Sequence, residues 1–164
     1  SGIDTVTGHR VDVIWPLSVE EYQCADRDQL RAMSYDLRFG GPETGDAESR
    51  ERVESQVLAL AQLVAGATIG SSDPTRVAAF VLRLFDKFGA RARWHHRFMD
   101  LSALTVGAHH LDATALPTLE MSATLWRVPE SGCEESAAGK ATLAADCFRR
   151  FRASDTGGHH AKRA

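Results

Sequence analysis

Histidine is the residue type in this sequence best suited to chemistry, and six of the seven histidines stand in adjacent pairs. The pairs are His95-His96, His109-His110 and His159-His160. Adjacent residues on a helix point about 100° apart, so each pair can offer only one ligand to a given metal ion. A structural zinc site also needs carboxylate or thiolate ligands at fixed spacing, and the sequence offers none. The histidines therefore do not predict a dedicated zinc site.

One of these pairs lies where a helix should end. Leu104, Ala108 and Leu111 recur at offsets of four and three, which predicts a buried stripe with the histidine pair at its edge. A single histidine on such a helix could ligate the iron of a haem held between helices. It could equally be solvated or bonded to a nearby carbonyl. The spacing alone leaves both interpretations open.

The residues around this pair resemble a known family. Val106-Gly107, then His110, then Leu116-Pro117 after a short linker look like the proximal segment of bacterial and sensor-type globins. In that family, a histidine at the end of one helix binds haem iron, and a proline-marked helix starts shortly afterwards. The resemblance extends over about residues 71–152. It implies a globin-like domain that binds or senses a diatomic gas, oxygen in particular, through haem.

The resemblance also implies a set of site residues, with His110 as the metal ligand. The residues implied to surround the haem are Val77, Val81, Leu84, Phe88, Val106 and Met121. Two family features are missing. No aromatic residue occurs between Gly40 and Ile69, and Val77 or Ala78 stands where the family has a distal histidine, glutamine or tyrosine.

A second hypothesis needs no haem: the chain is a non-catalytic helical interaction or scaffold subunit of a larger assembly. An N-terminal arm (residues 1–17) and a flexible basic tail (residues 154–164) cannot bury themselves, so they would gain order only against other protein subunits. A third hypothesis concerns the basic and aromatic residues 90–99, which could grip phosphates and stack bases. The plainer interpretation of that segment is a connection with Trp94 and Phe98 turned inward. We do not expect nucleic acid as the partner.

The periodicity predicts an all-α fold: one globin-like helical domain over residues 18–153. Helices are expected at about residues 18–38, 49–66, 74–89, 100–111, 117–129 and 137–151, with an exposed loop at 40–48. Asp73 followed by Pro74 is the most specific of the start signals. The core is expected to include Leu60, Val64, Val81, Leu84, Phe88, Leu104, Phe148 and Phe151.

Composition narrows the class of protein. A chain of 164 residues with 43% hydrophobic residues and a net charge of −3 suits one globular domain. The three cysteines fit no disulfide framework, which suggests a reducing intracellular compartment. No apolar run reaches the length of a membrane span. No nucleophile elbow, phosphate-binding loop or zinc-protease motif occurs, so no catalytic residue is assigned and an enzyme is not expected.

Overall fold

The computed structural model describes residues 2–13, 19–32, 47–112, 114–129 and 136–158. In chain order, the elements are β1 (Gly2–Ile3), β2 (Arg10–Val11), α1 (Val19–Cys24), α2 (Arg27–Ala32), α3 (Ala47–Leu63), β3 (Ile69–Ser71), α4 (Pro74–Lys87), β4 (Phe98–Asp100), α5 (Leu101–His109), α6 (Leu119–Leu125) and α7 (Ala137–Gly158). The predicted loop at 40–48 lies outside these ranges except for its last two residues. The last six residues of the tail lie wholly outside them.

The all-α, globin-like prediction is wrong, because the fold is mixed. β3 and β4 form a parallel pair in which Ile69 is opposite Phe98 and Ser71 is opposite Asp100. Two parallel strands need a crossover connection, and α4 supplies it. The three elements together form a β3–α4–β4 unit, in which α4 packs against both strands.

The N-terminal residues form a second small sheet where an extended arm was expected. β1 and β2 are antiparallel, with Gly2 opposite Val11. The turn between them is held by Asp4, whose carboxylate accepts hydrogen bonds from Val6 N (2.8 Å) and Thr7 Oγ1 (2.7 Å). β1 packs on α7 and β2 on α3. The hairpin is therefore part of the folded body.

Local sequence signals explain where the central helices begin. Asp73 caps α4 by accepting from Arg76 N, with Pro74 at the first helical position. Asp100 caps α5 by accepting from Ser102 N and Ala103 N. Helix α6 starts two residues after Pro117, because the Thr118 hydroxyl is its cap. These three starts lie at or within two residues of the predicted ones.

Two other helices have boundaries that differ from the predicted ones. The single helix expected at 18–38 is interrupted after Cys24, and its second piece, α2, is described to Ala32. The last helix, α7, extends to Gly158, so the first five residues of the predicted tail are helical. Among the described helices, none is both long and apolar enough to cross a membrane.

Two apolar clusters form the core. The first joins α5, α6 and α7 and contains Leu101, Leu119, Ala123, Trp126, Val128, Leu143, Cys147 and Phe148. The second joins the hairpin, α3 and α4 and contains Val11, Val53, Val57, Leu60, Leu84 and Phe85. All eight predicted core residues belong to these clusters or pack against them. Sequence periodicity identified the buried residues but not their division into two groups.

Candidate interaction surface

The residues expected to surround a haem do not form one pocket. Leu84 is buried in the second cluster, with Val81 and Phe88 packed beside it. Val106 lies on α5, a helix that contributes Leu101 to the first cluster. Two others face the surface: Val77 is exposed on α4, and Met121 is exposed on α6. The structure therefore places three of these residues in or against the second cluster, one on α5 and two at the protein surface.

The two histidines at the end of α5 are oriented in the reverse of the expected way. His110 is exposed and takes the left-handed conformation (φ 53°) that ends the helix, with its N–H donating to Val106 O. His109 turns inward, and its ring packs edge-on against Trp126 with 4.7 Å between ring centroids. The Nε2 atom of His109 is buried and lacks a hydrogen-bond partner among the described residues. The partly buried side chain is therefore His109.

A haem does not fit this arrangement. Its iron ligand and its apolar contacts would have to face one another, but His110 points into solvent and Leu84 belongs to the other cluster. In the described ranges, no group of three or more His, Cys, Asp or Glu side chains is placed to hold a metal ion.

The buried polar groups of the first cluster serve packing. Trp126 Nε1 donates to Thr105 Oγ1 at 2.8 Å, and Thr105 Oγ1 donates to Leu101 O at 2.7 Å. Trp126 also meets Phe151 edge-on, with 5.8 Å between ring centroids. The hydroxyl of Ser122 is buried without a described partner. This arrangement joins α5 to α6.

A shallow depression lies where β3 and β4 end and α4 and α5 begin, lined in part by Ser102, Lys140 and Glu120. Its polar groups already have structural roles. Ser102 Oγ donates to Pro117 O at 2.8 Å. The pKa of Glu120 is lowered chiefly by the N–H of its own backbone and then by the Thr118 hydroxyl, both at the start of α6. We assign no chemistry to this depression, because its polar side chains stabilise helix starts.

One side of α4 carries an exposed aromatic residue among basic ones. Phe80 is 69% exposed. Helix geometry places Arg76, Val77 and Arg83 next to it, at offsets of three or four residues, and Lys87 one further turn along. We call these five residues the α4 face. Such a surface combines apolar area with positive charge.

The chain that leads into β4 forms a second exposed feature, which we call the edge segment (residues 91–100). Arg91, Arg93 and Arg97 are exposed, and none forms an ion pair with a carboxylate in the described part of the chain. Phe98 and Met99 are 41% and 40% exposed. The expectation that Phe98 turns inward is therefore wrong.

Trp94 behaves differently from its neighbours, as the plainer interpretation of this segment predicted. Its ring packs on Phe85 with 6.0 Å between ring centroids and belongs to the second cluster. It anchors the edge segment to the core and is not free to stack on a base. The chemistry of the edge segment therefore comes from its arginines and from Phe98 and Met99.

Charge is distributed unevenly along the chain. Residues 76–97 contain six basic residues and one acidic residue, whereas the whole chain has a net charge of −3. Five of the six basic residues are arginines. The sequence contained this signal, but only the fold places the α4 face and the edge segment in one β3–α4–β4 unit.

Comparison of the chain with protein-family models, with curated proteins and with solved structures found no match.

Proposed function

We propose that this protein is a non-catalytic interaction module that binds a partner protein through the α4 face and the edge segment. The observation that supports the proposal is the concentration of exposed apolar side chains there. Of the ten large apolar residues that are exposed in the described part of the chain, four lie on these two surfaces. They are Val77, Phe80, Phe98 and Met99.

The kind of residue also favours a protein partner. Protein interfaces are enriched in aromatic residues, methionine and arginine and depleted in lysine. Phe80, Phe98, Met99 and five arginines fit this composition, with Lys87 the one lysine of residues 76–97. Phe98 and Met99 are successive exposed residues of β4 and lie on opposite faces of it, so a partner beside this strand would contact both.

Site-specific crosslinking tests the proposal. A photoreactive phenylalanine analogue is placed at Phe98, at Phe80 or at Leu58, which is exposed on α3 and serves as the control. We expect the same partner at positions 80 and 98 and none at 58. In a complex rebuilt from the purified proteins, Phe98→Ser should weaken binding about tenfold, as loss of an interface anchor does. Equal crosslinking at all three positions would contradict the proposal.

A further inference from the structure

We propose that the partner contributes an acidic, extended segment that adds as a third strand to the free edge of β4. This inference rests on the proposed function and specifies the chemistry of the partner.

The edge segment is paired along one side over more of its length than β4 itself. Gly66 N donates to Arg93 O at 2.8 Å, and His95 N donates to Ala67 O at 2.8 Å. The β3–β4 pairing then continues to Ser71 and Asp100. From Arg93 to Asp100, the chain thus runs beside residues 66–71. The chain bends at Trp94 and His96 and is a strand only over β4.

In the described ranges, no strand pairs with the other side of this stretch, because the parallel sheet contains β3 and β4 alone. Arg97 N donates locally to His95 Nδ1 at 3.3 Å, so one backbone donor is already occupied. An open strand edge is a template for another extended chain, and many recognition domains bind peptides in this way.

Charge complementarity favours an acidic segment. Arg91, Arg93 and Arg97 lie within seven residues and have no carboxylate partner in the described part of the chain. An added strand would bring its side chains beside them, so carboxylates there would gain favourable pairing. Successive residues of a strand alternate between faces, so apolar residues of the same segment could cover Phe98 or Met99. The expected ligand alternates acidic and apolar residues.

Arginines beside an open edge have another possible role, because charged residues protect edges against aggregation. That role does not account for Phe98 and Met99, since exposed apolar residues on an edge promote association. The two roles predict different behaviour toward peptides. Protection predicts that no peptide binds the edge, whereas strand addition predicts selective binding of acidic ones.

Selection from a displayed library of random dodecapeptides tests the charge requirement, with the whole protein as bait. We expect enriched peptides to alternate acidic and apolar residues and to bind the double variant Arg93→Gln, Arg97→Gln about tenfold more weakly, roughly threefold for each arginine. The matched control is Arg150→Gln, an exposed arginine of α7 outside both surfaces, which should leave their binding unchanged. Failure to enrich acidic peptides would overturn the inference. Peptides whose binding is weakened by Arg83→Gln, and not by the Arg93 and Arg97 substitutions, would overturn strand addition at β4. They would leave the proposed function intact, because Arg83 belongs to the α4 face.

The backbone requirement is tested with one enriched peptide, methylated at every second backbone nitrogen in either register. Because a strand directs alternate N–H groups toward its neighbour, one register should lose at least about tenfold in affinity and the other much less. Hydrogen exchange should slow at whichever of Phe98 and Met99 directs its N–H toward the free edge of β4 when the unmodified peptide binds. Equal binding by both methylated forms would overturn strand addition. So would a preference for single-stranded oligothymidylate over the peptide, or pairing of β4 with β4 of a second copy.

Discussion

Gly70 lies directly against the ring of Phe148, so that a Cβ atom at Gly70 would come within 2.7 Å of Phe148 Cε2. Gly70 is the central residue of β3, and Phe148 is a buried residue of α7. The missing side chain lets α7 approach the parallel strand pair that carries the edge segment. The ring cannot easily move away, because Phe148 is 6% exposed and packed in the first cluster.

We therefore expect Gly70→Ala to destabilise the protein. Overpacking a buried contact costs about 1–3 kcal/mol in the free energy of unfolding. The matched control is Gly107→Ala on α5, where an added Cβ would meet nothing within 4 Å. That change should stabilise the helix by up to about 1 kcal/mol. Urea denaturation followed by circular dichroism measures both free energies of unfolding.

A second variant separates the clash from other effects at Gly70. Phe148→Leu shortens the side chain that the new Cβ would meet, so Gly70→Ala should cost less in that background than in the wild type. If Gly70→Ala lowers the free energy of unfolding by the same amount with and without the Phe148 ring, contact with that ring is not the reason why residue 70 must be glycine.

Local signals explain why so many helices could be predicted. Asp73 with Pro74, and Asp100 at the start of α5, specify helix starts within a few residues of chain. The apolar spacing of Val53, Val57 and Leu60 likewise identified the buried side of α3. Each signal depends on neighbours three or four residues away, so no knowledge of the fold was needed.

The strands could not be predicted in the same way. β3 is only Ile69–Ser71 and β4 only Phe98–Asp100, too short for the alternation that identifies a strand. Their pairing depends on the path of α4 between them, which no local pattern specifies. The free edge and the exposure of Phe98 were therefore missed as well. His109 turns inward because it follows the buried residues Leu101 and Thr105 at offsets of four on α5, whereas the predicted stripe of Leu104, Ala108 and Leu111 lies on another side of this helix.

The buried hydrogen bond between Trp126 and Thr105 gives a second prediction. Thr105 is fully buried, and its hydroxyl oxygen accepts from the indole N–H at 2.8 Å. Thr105→Val keeps the volume of the side chain but leaves the indole donor without its acceptor. Such a buried unpaired group costs about 1–3 kcal/mol of stability. Chemical denaturation should detect the loss.

Two further variants test that assignment. Thr105→Ser keeps the hydroxyl and should retain more of the stability than Thr105→Val. In a Trp126→Phe background no indole donor exists, so the cost of Thr105→Val should fall. An unchanged cost in that background would mean that the hydrogen bond to Trp126 is not the source of the stability.

A third prediction concerns His110, whose positive φ of 53° is unfavourable for a residue with a Cβ atom. His110→Gly should raise the free energy of unfolding by about 0.5–1 kcal/mol, because glycine adopts this conformation without steric cost. Ala108→Gly is the control: this residue is exposed inside α5, where glycine costs about 1 kcal/mol. In thermal denaturation, the melting temperature should rise for His110→Gly and fall for Ala108→Gly.

The same variant addresses the globin resemblance. If His110 ligates haem iron, His110→Gly should remove the Soret absorption of a histidine-bound haem from protein supplied with haemin. From the exposed position of His110, we expect haemin to give the same spectrum with the wild type and with the variant. Loss of the Soret absorption in His110→Gly would support the gas-binding hypothesis.

The fourth prediction uses Cys147. Burial raises the pKa of its thiol to about 11 from an ordinary value of 9.0, and the negative charge of Asp146 contributes further. The thiol form is therefore favoured in the folded protein. The resulting stability is complete below the unfolded pKa and is lost as the pH rises through about 11. Relative to Cys147→Ala, the wild type should lose stability over that pH range.

Alkylation gives a direct measurement of the same property. The thiolate is the reactive form of cysteine, so the buried and protonated Cys147 should resist iodoacetamide in the native protein at mildly alkaline pH. Cys24 is exposed and provides an internal control that should react under the same conditions. In urea, both should be alkylated at similar rates, because unfolding removes the burial that raises the pKa of Cys147. Peptide mass mapping distinguishes the two cysteines in one sample. Native alkylation of Cys147 as fast as that of Cys24 would show that α7 does not hold this thiol in the core as described.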